Sequence, residues 1–514
     1  MRPALLAGAA ALSLAPAAAP ALTAAEAWQN MQDAAAEADI TLAAGAEAQS
    51  GARLTVTEVA FSTVLPAEEE GAAPTTVEGT LAEIVFAEQP DGSVDIALPA
   101  EMPVSIAFVD EDGAPVSLEF VVGQDGLTMT AGDAEGGGST LDYAADALRA
   151  ELVEIDSPQA DGLDYDVALG VTGIASSNTY RETGSPEIAT DTTAESVTAD
   201  ITIADDASPA TFEMALEVTQ LSSRSEGSGS VLMAGSGDLG ALAAEGFAAE
   251  GAGGVGAMTL EMSGMDEAGT PFAVSLASGA IEGRGRVAEG QIAYDVSYEE
   301  VAFALAGGGM PLPQVTGALG GLATRLAMPL RQTEAAQPMG LRLALTDLAL
   351  GEEVWALFDP AGVLPREPAT LIADIAGMAR WTVDPADEAA MERAAEAGET
   401  PLEVQSLDLE ELRLALSGAE LSGTGGVDLD WSRPGPFGPG SPAPEGELSL
   451  VLTGGQALLE NLVRMGLLTQ ENAMMTRMML GAIARPGEGT DRLVSEITIQ
   501  PDGTVLANGA PLPF

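Results

Sequence analysis

The chain has 514 residues, with 79 Asp and Glu against 19 basic residues and a formal net charge of −60. All 19 cations are arginines; lysine, histidine and cysteine are absent. That composition excludes thiolate and imidazole metal sites, Ser-His and Cys-His nucleophile pairs, Schiff-base lysines and P-loops. It also excludes a basic footprint for nucleic acid and an electrostatic hold on anionic lipid surfaces. Hydrophobic residues make up 46% and aromatics only 4%, so a core must be built from small aliphatic side chains rather than rings. The acid excess reads as a saline habitat and a GC-rich genome, because solvated carboxylates raise solubility without dictating fold.

The amino terminus carries the pattern of an export signal. Met1-Arg2 is a short basic start, Ala4 to Ala15 is apolar, and Ala19 and Ala21 form an A-x-A cleavage site before Leu22. An apolar run of about 12 residues is too short to span a bilayer, which needs roughly 20. No later stretch is long and apolar enough to do so, so no stable transmembrane segment is expected. The mature protein is expected in the periplasm, where the absence of cysteine leaves packing alone to hold the fold.

Thr23-Ala24-Ala25-Glu26 then reads as a capping box opening a helix to about Ala36, with Trp28 and Met31 on one face. The period changes to that of strands through Leu54, Val56, Val59 and Phe61, then Val77–Phe86, Val94–Leu98, Val104–Val109 and Val116–Val122. Asp91-Gly92, Asp112-Gly113, Asp125-Gly126 and later Asp502-Gly503 are signatures of type I′ hairpins, in which both turn residues take positive φ. Strands continue at Tyr165–Val171, Val197–Ile203, Phe212–Leu221, Met258–Met262, Phe272–Leu276 and Ile292–Leu305, with a short helix at Ala241–Ala249. The last third mixes strands with helices at Gly351–Phe358, Asp387–Ala397, Gln456–Met465 and Gln470–Ala484, and an irregular proline-rich loop at Arg433–Pro444. Short strands at such spacing specify a mainly β (α+β) fold: large curved antiparallel meander sheets with a few docked helices. The organisation expected is a signal peptide over 1–21, a β-meander lobe over 22–230 and a β-rich lobe with short helices over 231–514. The two lobes stand either apart or as one elongated domain.

Several segments resemble the alphaproteobacterial family known as domain of unknown function 2125. They are Leu348-Ala349-Leu350 leading to Trp355, Phe358-Asp359-Pro360, and the block Leu364-Pro365-Arg366-Glu367-Pro368-Ala369-Thr370. Asp374-Ile375-Ala376-Gly377, the helix pair around Leu458-Leu459 and Met465–Leu468, and Asp502–Val505 with Asn508-Gly509 add to it, as does the capping-box helix with Trp28. The resemblance implies an exported, β-rich envelope protein. It implies no known activity and carries over no catalytic residues.

Chemistry is sparse. Gly251-Ala-Gly253-Gly-Val-Gly256 matches G-x-G-x-x-G, but dinucleotide binding needs a strand before it and a helix after it. Here the order is inverted, and a glycine-rich hairpin link is the expectation. Paired carboxylates are the acid/base chemistry left open, and Asp359 with Asp374, near Arg366 and Trp355, is the most enclosed set. The flanking Pro360, Pro365 and Pro368 favour a rigid corner held by an Arg366–Asp ion pair over Trp355. The acidic runs Asp110-Glu111-Asp112 and Asp161–Asp166 lack the calcium-loop spacing. Met474, Met475, Met478 and Met479 recur at helical spacing, as a core-facing stripe or as a pliable surface for an apolar ligand or partner.

The expected function is therefore non-catalytic: a structural or binding protein of the envelope whose curved sheet holds an apolar small molecule, a lipid or another envelope protein. No cofactor or metal is called for. The alternatives are a hydrolase using Asp359 and Asp374, and an outer-membrane barrel ending at Phe514. Pro511 and Pro513 would interrupt the ladder of such a barrel.

Overall fold

The computed structural model describes residues 21–512 apart from 66–72, 111–112, 136, 158–159, 161, 182–186, 229–247, 437 and 439. The signal-peptide reading, but for Ala21, lies outside the described residues. So does most of the helix expected at Ala241–Ala249; its last residue, Ala249, opens a strand. Strands occupy 65% of the structure and helices 12%, in 27 strands and five helices among the described residues. The fold is mainly β, as the strand spacing requires.

The strands form one antiparallel meander. Arg53–Leu65 pairs with Thr75–Glu88, and Gly138–Asp156 pairs with Leu163–Arg181, which pairs in turn with Glu187–Asp205 and that with Thr211–Ser228. The ladder runs on through Gln291–Gly307, Gln314–Pro329, Gln337–Leu350 and Ala369–Trp381 to Pro442–Thr453 and Arg492–Ile499. Among the described residues no pairing joins the first strands to the last. The sheet is open at both edges, and the closed-barrel alternative does not fit it. Pro511 lies in the edge strand Ala510–Pro511, beside only one neighbour, where a missing N–H is tolerated.

The first helix, α1 (Ala24–Glu37), starts at the capping box seen in the sequence. The Thr23 side chain accepts from the Glu26 amide at 3.2 Å, and Glu26 accepts from the Thr23 amide at 2.9 Å. This helix covers the first strands. Trp28 (3% exposed) packs on Phe86, with ring centroids 5.9 Å apart, above fully buried Val56, Val59, Ile84 and Val94. Each such aliphatic side chain contributes about 1.5–3 kcal/mol by leaving water. That cluster is the main core. With 30112 Å² of accessible surface, the molecule exposes far more than the about 17,000 Å² of a compact monomer of its mass. Most of the sheet is a single layer.

Two turn expectations are corrected. Gly92, Gly113, Gly126 and Gly503 have positive φ, but Asp91, Asp125 and Asp502 do not. Asp91 and Asp502 instead accept the amides two residues on, from Ser93 and Thr504, at 3.1 and 2.9 Å. That Asx interaction selects a type I turn closed by a left-handed glycine over type I′. The proline-rich segment is also more regular than expected, since Pro434 pairs with Pro442 and only residues 435–441 lie outside the strands.

One irregularity runs straight across the sheet. In each of the crossing strands, inward apolar residues that should recur every second position are spaced by three: Val56 and Val59, Leu81 and Ile84, Val171 and Ile174, Val218 and Leu221, Leu319 and Leu322. Val56, Val59, Leu81 and Ile84 belong to one buried cluster, so both sides of the gap face the same way. The gap residue on several of these strands is left-handed, with φ between 50° and 58° at Glu58, Gly173, Gln220, Glu300 and Asp347. These positions are cross-strand neighbours of one another or of an intervening residue, because the register is unchanged on either side (Thr172↔Ser196 and Ala175↔Thr193; Glu299↔Gly321 and Val301↔Leu319). Each strand that crosses here thus carries one extra residue at the same place, making a crease perpendicular to the strands that leaves the sheet at Gln337–Leu350. The carboxylates Glu58, Asp146, Glu195, Glu300 and Asp347 stand exposed along it. Glycines oppose several of them, and a Cβ on Gly320 would sit 3.0 Å from that of Asp347.

A left-handed, exposed crease residue gives a clean test. Glu300→Gly is expected to leave stability unchanged or to raise it. Glu300→Val should lower it by about 1–2 kcal/mol, because a β-branched side chain resists positive φ. Urea midpoints of the two variants would check this; equal losses would remove the crease geometry at that strand.

Candidate functional site

The crease divides the sheet into two wings whose apolar positions lie on one face. On one wing the row Val167, Ile201, Met214, Met262, Val274, Leu305 and Val315 is built entirely from directly opposed residues on successive strands. Beside it runs Leu169, Ala199, Leu216, Leu260, Leu276 and Phe303. On the other wing, next to the crease, stands the longest row: Val255, Ile281, Tyr298, Leu322, Leu345, Leu371, Leu414, Leu421, Leu452 and Leu493. Leu216 and Leu260 are half-buried while their neighbours Glu217 and Glu261 are exposed. The packed helices do not account for that difference. α1 lies on the first strands, α2 (Glu352–Phe358) on Gln314–Pro329, and, after α3 (Glu388–Ala397), α4 (Gly455–Arg464) on Ala419–Pro434. In this stretch the apolar side chains of successive strands stand side by side in rows and shade one another. The arrangement is a trough floored by the crease.

Part of one wing is polar. Ser176, Thr192, Ser223, Gly253 and Gly283 form a row on the same face. The G-x-G-x-x-G glycines thus lie in and just after the strand Ala249–Val255, not in a hairpin link. They pair closely with Thr211–Ser228 and Ile281–Ala288 and place no side chains in the trough.

The opposite face is charged. Asp191, Arg224, Ala252, Arg284, Asp295, Arg325, Arg342, Asp374 and Glu411 are cross-strand neighbours in a single row. Arg325 meets Arg342 directly, and each is held by a carboxylate on its far side: Asp295 at 3.0 Å and Asp374 at 2.5 Å. The hydrogen bond from Asp374 holds the Arg342 guanidinium above its ordinary pKa. Arg224, Arg284, Arg286 and Arg325 border an open depression of about 440 Å³, but their exposed ion pairs are of the kind that contribute little. Nothing in the sequence reading anticipated this row, because its successive members are 11 to 37 residues apart in the chain and only strand register aligns them.

Asp359 and Asp374 have separate partners. Asp359 is 1% exposed, and its two oxygens accept the amides of Val363 (2.9 Å) and Leu364 (2.8 Å). It closes the turn in which Pro360 follows it and Gly362 returns an amide to its carbonyl. Asp374 lies within the strand Ala369–Trp381, paired with Arg342. The Arg366–Asp ion pair expected at this corner is corrected. Arg366 pairs with Glu352, lies 5.6 Å over the Trp355 ring, and donates to the Asp359 carbonyl at 3.5 Å. Both aspartates already had nearer donors. Pro365 packs beside Gly418, and Pro368 leads into the strand at Ala369. The block Trp355–Pro368 is a tied loop. At its start Thr316 donates to Glu353 and holds that carboxyl below its ordinary pKa.

The methionine stripe does not face a core. On α5 (Gln470–Ile483), Met474, Met475, Met478 and Met479 are 51–72% exposed, and the buried residue is Ala473. α5 packs on α4 rather than forming part of the sheet layer, which leaves its methionine side to solvent. Of the acidic runs, residues 111, 112 and 161 lie outside the described residues, as do Pro513 and Phe514.

Asp359→Ala is expected to lower stability by about 2–3 kcal/mol by leaving two buried amides without acceptors, and Asp359→Asn by less, since one acceptor remains. Urea denaturation of the two variants checks the order; an equal, small effect would mean that the loop is not tied there.

No curated protein and no solved structure matches the chain. Residues 258–513 match the model of a family described as an uncharacterized protein conserved in bacteria (DUF2125). The match begins on the strand Ala257–Met265 and takes in the Trp355–Pro368 loop, the longest apolar row from Ile281 onward and both carboxy-terminal helices. Through this half, the chain belongs to the DUF2125 family.

Proposed function

We propose that the chain is an exported, non-catalytic protein of the cell envelope that binds an apolar ligand along its trough. The observation that carries this reading is the two-faced sheet: row upon row of aliphatic side chains on one side, uncovered by the described helices between Gly138–Asp156 and Gln291–Gly307, and charge on the other. A folded protein ordinarily buries such a face against a second layer, and contiguous apolar patches of this extent mark binding sites. Export rests on the Met1–Ala21 pattern. The non-catalytic assignment rests on the missing His, Lys and Cys and on the backbone amides and arginine that occupy Asp359 and Asp374. Those contacts also weigh against a carboxylate hydrolase.

The test is extraction of the full chain, purified from the periplasm without detergent, followed by mass spectrometry of the organic phase. Apolar molecules are expected in molar amounts. Replacing Leu216 and Leu276 together by Asp should lower the yield at least tenfold. Ala215→Asp with Ser275→Asp, on the opposite face of the same strands, should leave it unchanged. A protein that emerges empty, or that loses ligand equally with both pairs, would defeat the reading.

A further inference from the structure

We infer that the outer side of α5 binds a soft monovalent metal ion of the copper(I) class through the thioether sulfurs of Met474, Met475, Met478 and Met479. This site is separate from the apolar face of the sheet and does not depend on what that face binds.

The placement of sulfur is the first ground. On α5 the residues turned toward α4 are Ala473, Thr476, Leu480 and Ile483, buried or half-buried at intervals of three and four. At about 100° per residue, the four methionines lie on an arc centred opposite that side, and they are 51–72% exposed. None of the packed residues of α5 carries sulfur, and the half-buried apolar residues of α4 are Leu458, Leu459, Leu462 and Val463. Leucine and methionine exchange readily where only apolar contact is needed. Sulfur is what methionine alone adds, and α5 keeps it on the solvent side.

Spacing is the second ground. Met474 with Met478, Met475 with Met479, and Met475 with Met478 are pairs four or three apart, whose Cβ atoms stand about 5–6 Å from one another. Three rotatable bonds in each side chain let three sulfurs converge on one ion. Met475 and Met478 belong to both contiguous sets of three, so they form the centre of the site. Charge agrees with this. Arg477, the one cation of α5, is drawn to Glu460 of α4 at 3.3 Å, and exposed Glu471 stands one turn before Met474 and Met475 on the methionine side. A neutral thioether is a soft donor that selects copper(I), while magnesium and calcium take oxygen ligands. In a chain without cysteine or histidine, methionine supplies that soft donor.

The experiment titrates the full chain with silver(I), a redox-stable analogue of copper(I), in chloride-free buffer and counts bound ions by native mass spectrometry. One silver ion per chain is expected to survive a hundredfold excess of magnesium. Changing all four methionines to leucine should abolish retention, while the similar volume and helix propensity of leucine preserve the fold and the apolar surface. Met475→Leu or Met478→Leu alone should weaken binding at least tenfold, and Met474→Leu or Met479→Leu less. Met265→Leu with Met378→Leu, which removes exposed thioethers of the sheet, should change nothing. Displacement of the silver by magnesium, retention by the fourfold leucine variant, or equal loss in the Met265 and Met378 pair would each overturn the site. So would a wild-type chain that holds no silver.

Discussion

Everything in this sheet depends on the extra residue that each strand carries at the crease. A strand has a side-chain period of two, so a single inserted residue in one strand would shift its register or turn its apolar set to the opposite face. Here neighbouring strands carry the insertion at directly opposed positions, and the pairing on either side keeps the same alignment. The hydrogen-bond ladder therefore survives, and both wings keep their aliphatic side chains on one surface. Left-handed residues on several of the strands supply the local turn, and exposed acids and glycines line the crease, where no packing partner is required.

How much of this is legible in the chain follows from what each signal depends on. The capping box at Thr23 and the helices of the last third are local patterns, and the structure has them within one or two residues of where the sequence places them. The strands run well past the apolar segments that signal them, as Leu163–Arg181 does for Tyr165–Val171, and Gly138–Asp156 and Gln314–Pro329 carry no alternation clear enough to place them. The crease is written there too, in the interval between Val56 and Val59 or between Val218 and Leu221. In one strand alone that interval reads as a strand end or an accidental polar residue. Its meaning appears only when many strands are aligned, and the alignment is a property of pairing, not of any segment. The charged row from Asp191 to Glu411 was hidden for the same reason. The methionines of α5 failed differently: helical spacing reports which residues share a face, not whether another layer covers it.

The tied loop at Trp355–Pro368 and the trough share a border, which accounts for the loop's content. The strand Gln337–Leu350 ends where the crease leaves the sheet, and the chain must turn back to begin Ala369–Trp381. Asp347, the last left-handed crease residue, has its amide held by the Thr370 hydroxyl at 3.2 Å, across the mouth of that turn. Between them Asp359 fastens two amides, and Arg366 spans Trp355, Glu352 and the Asp359 carbonyl. Two carboxylates that looked like acid/base partners in the sequence have separate tasks in space: Asp359 fastens the loop, and Asp374 pairs with Arg342 within the sheet.

The acidity of the chain and its apolar trough are two sides of one solution. A single-layer sheet with an uncovered apolar surface invites edge pairing and stacking. The other surface here carries carboxylates at the crease and on alternate positions of the wings, and a net charge of −60 sets copies of the chain against one another. Arginine, the only cation, is placed where acids would otherwise face each other across neighbouring strands, as at Asp295, Arg325, Arg342 and Asp374.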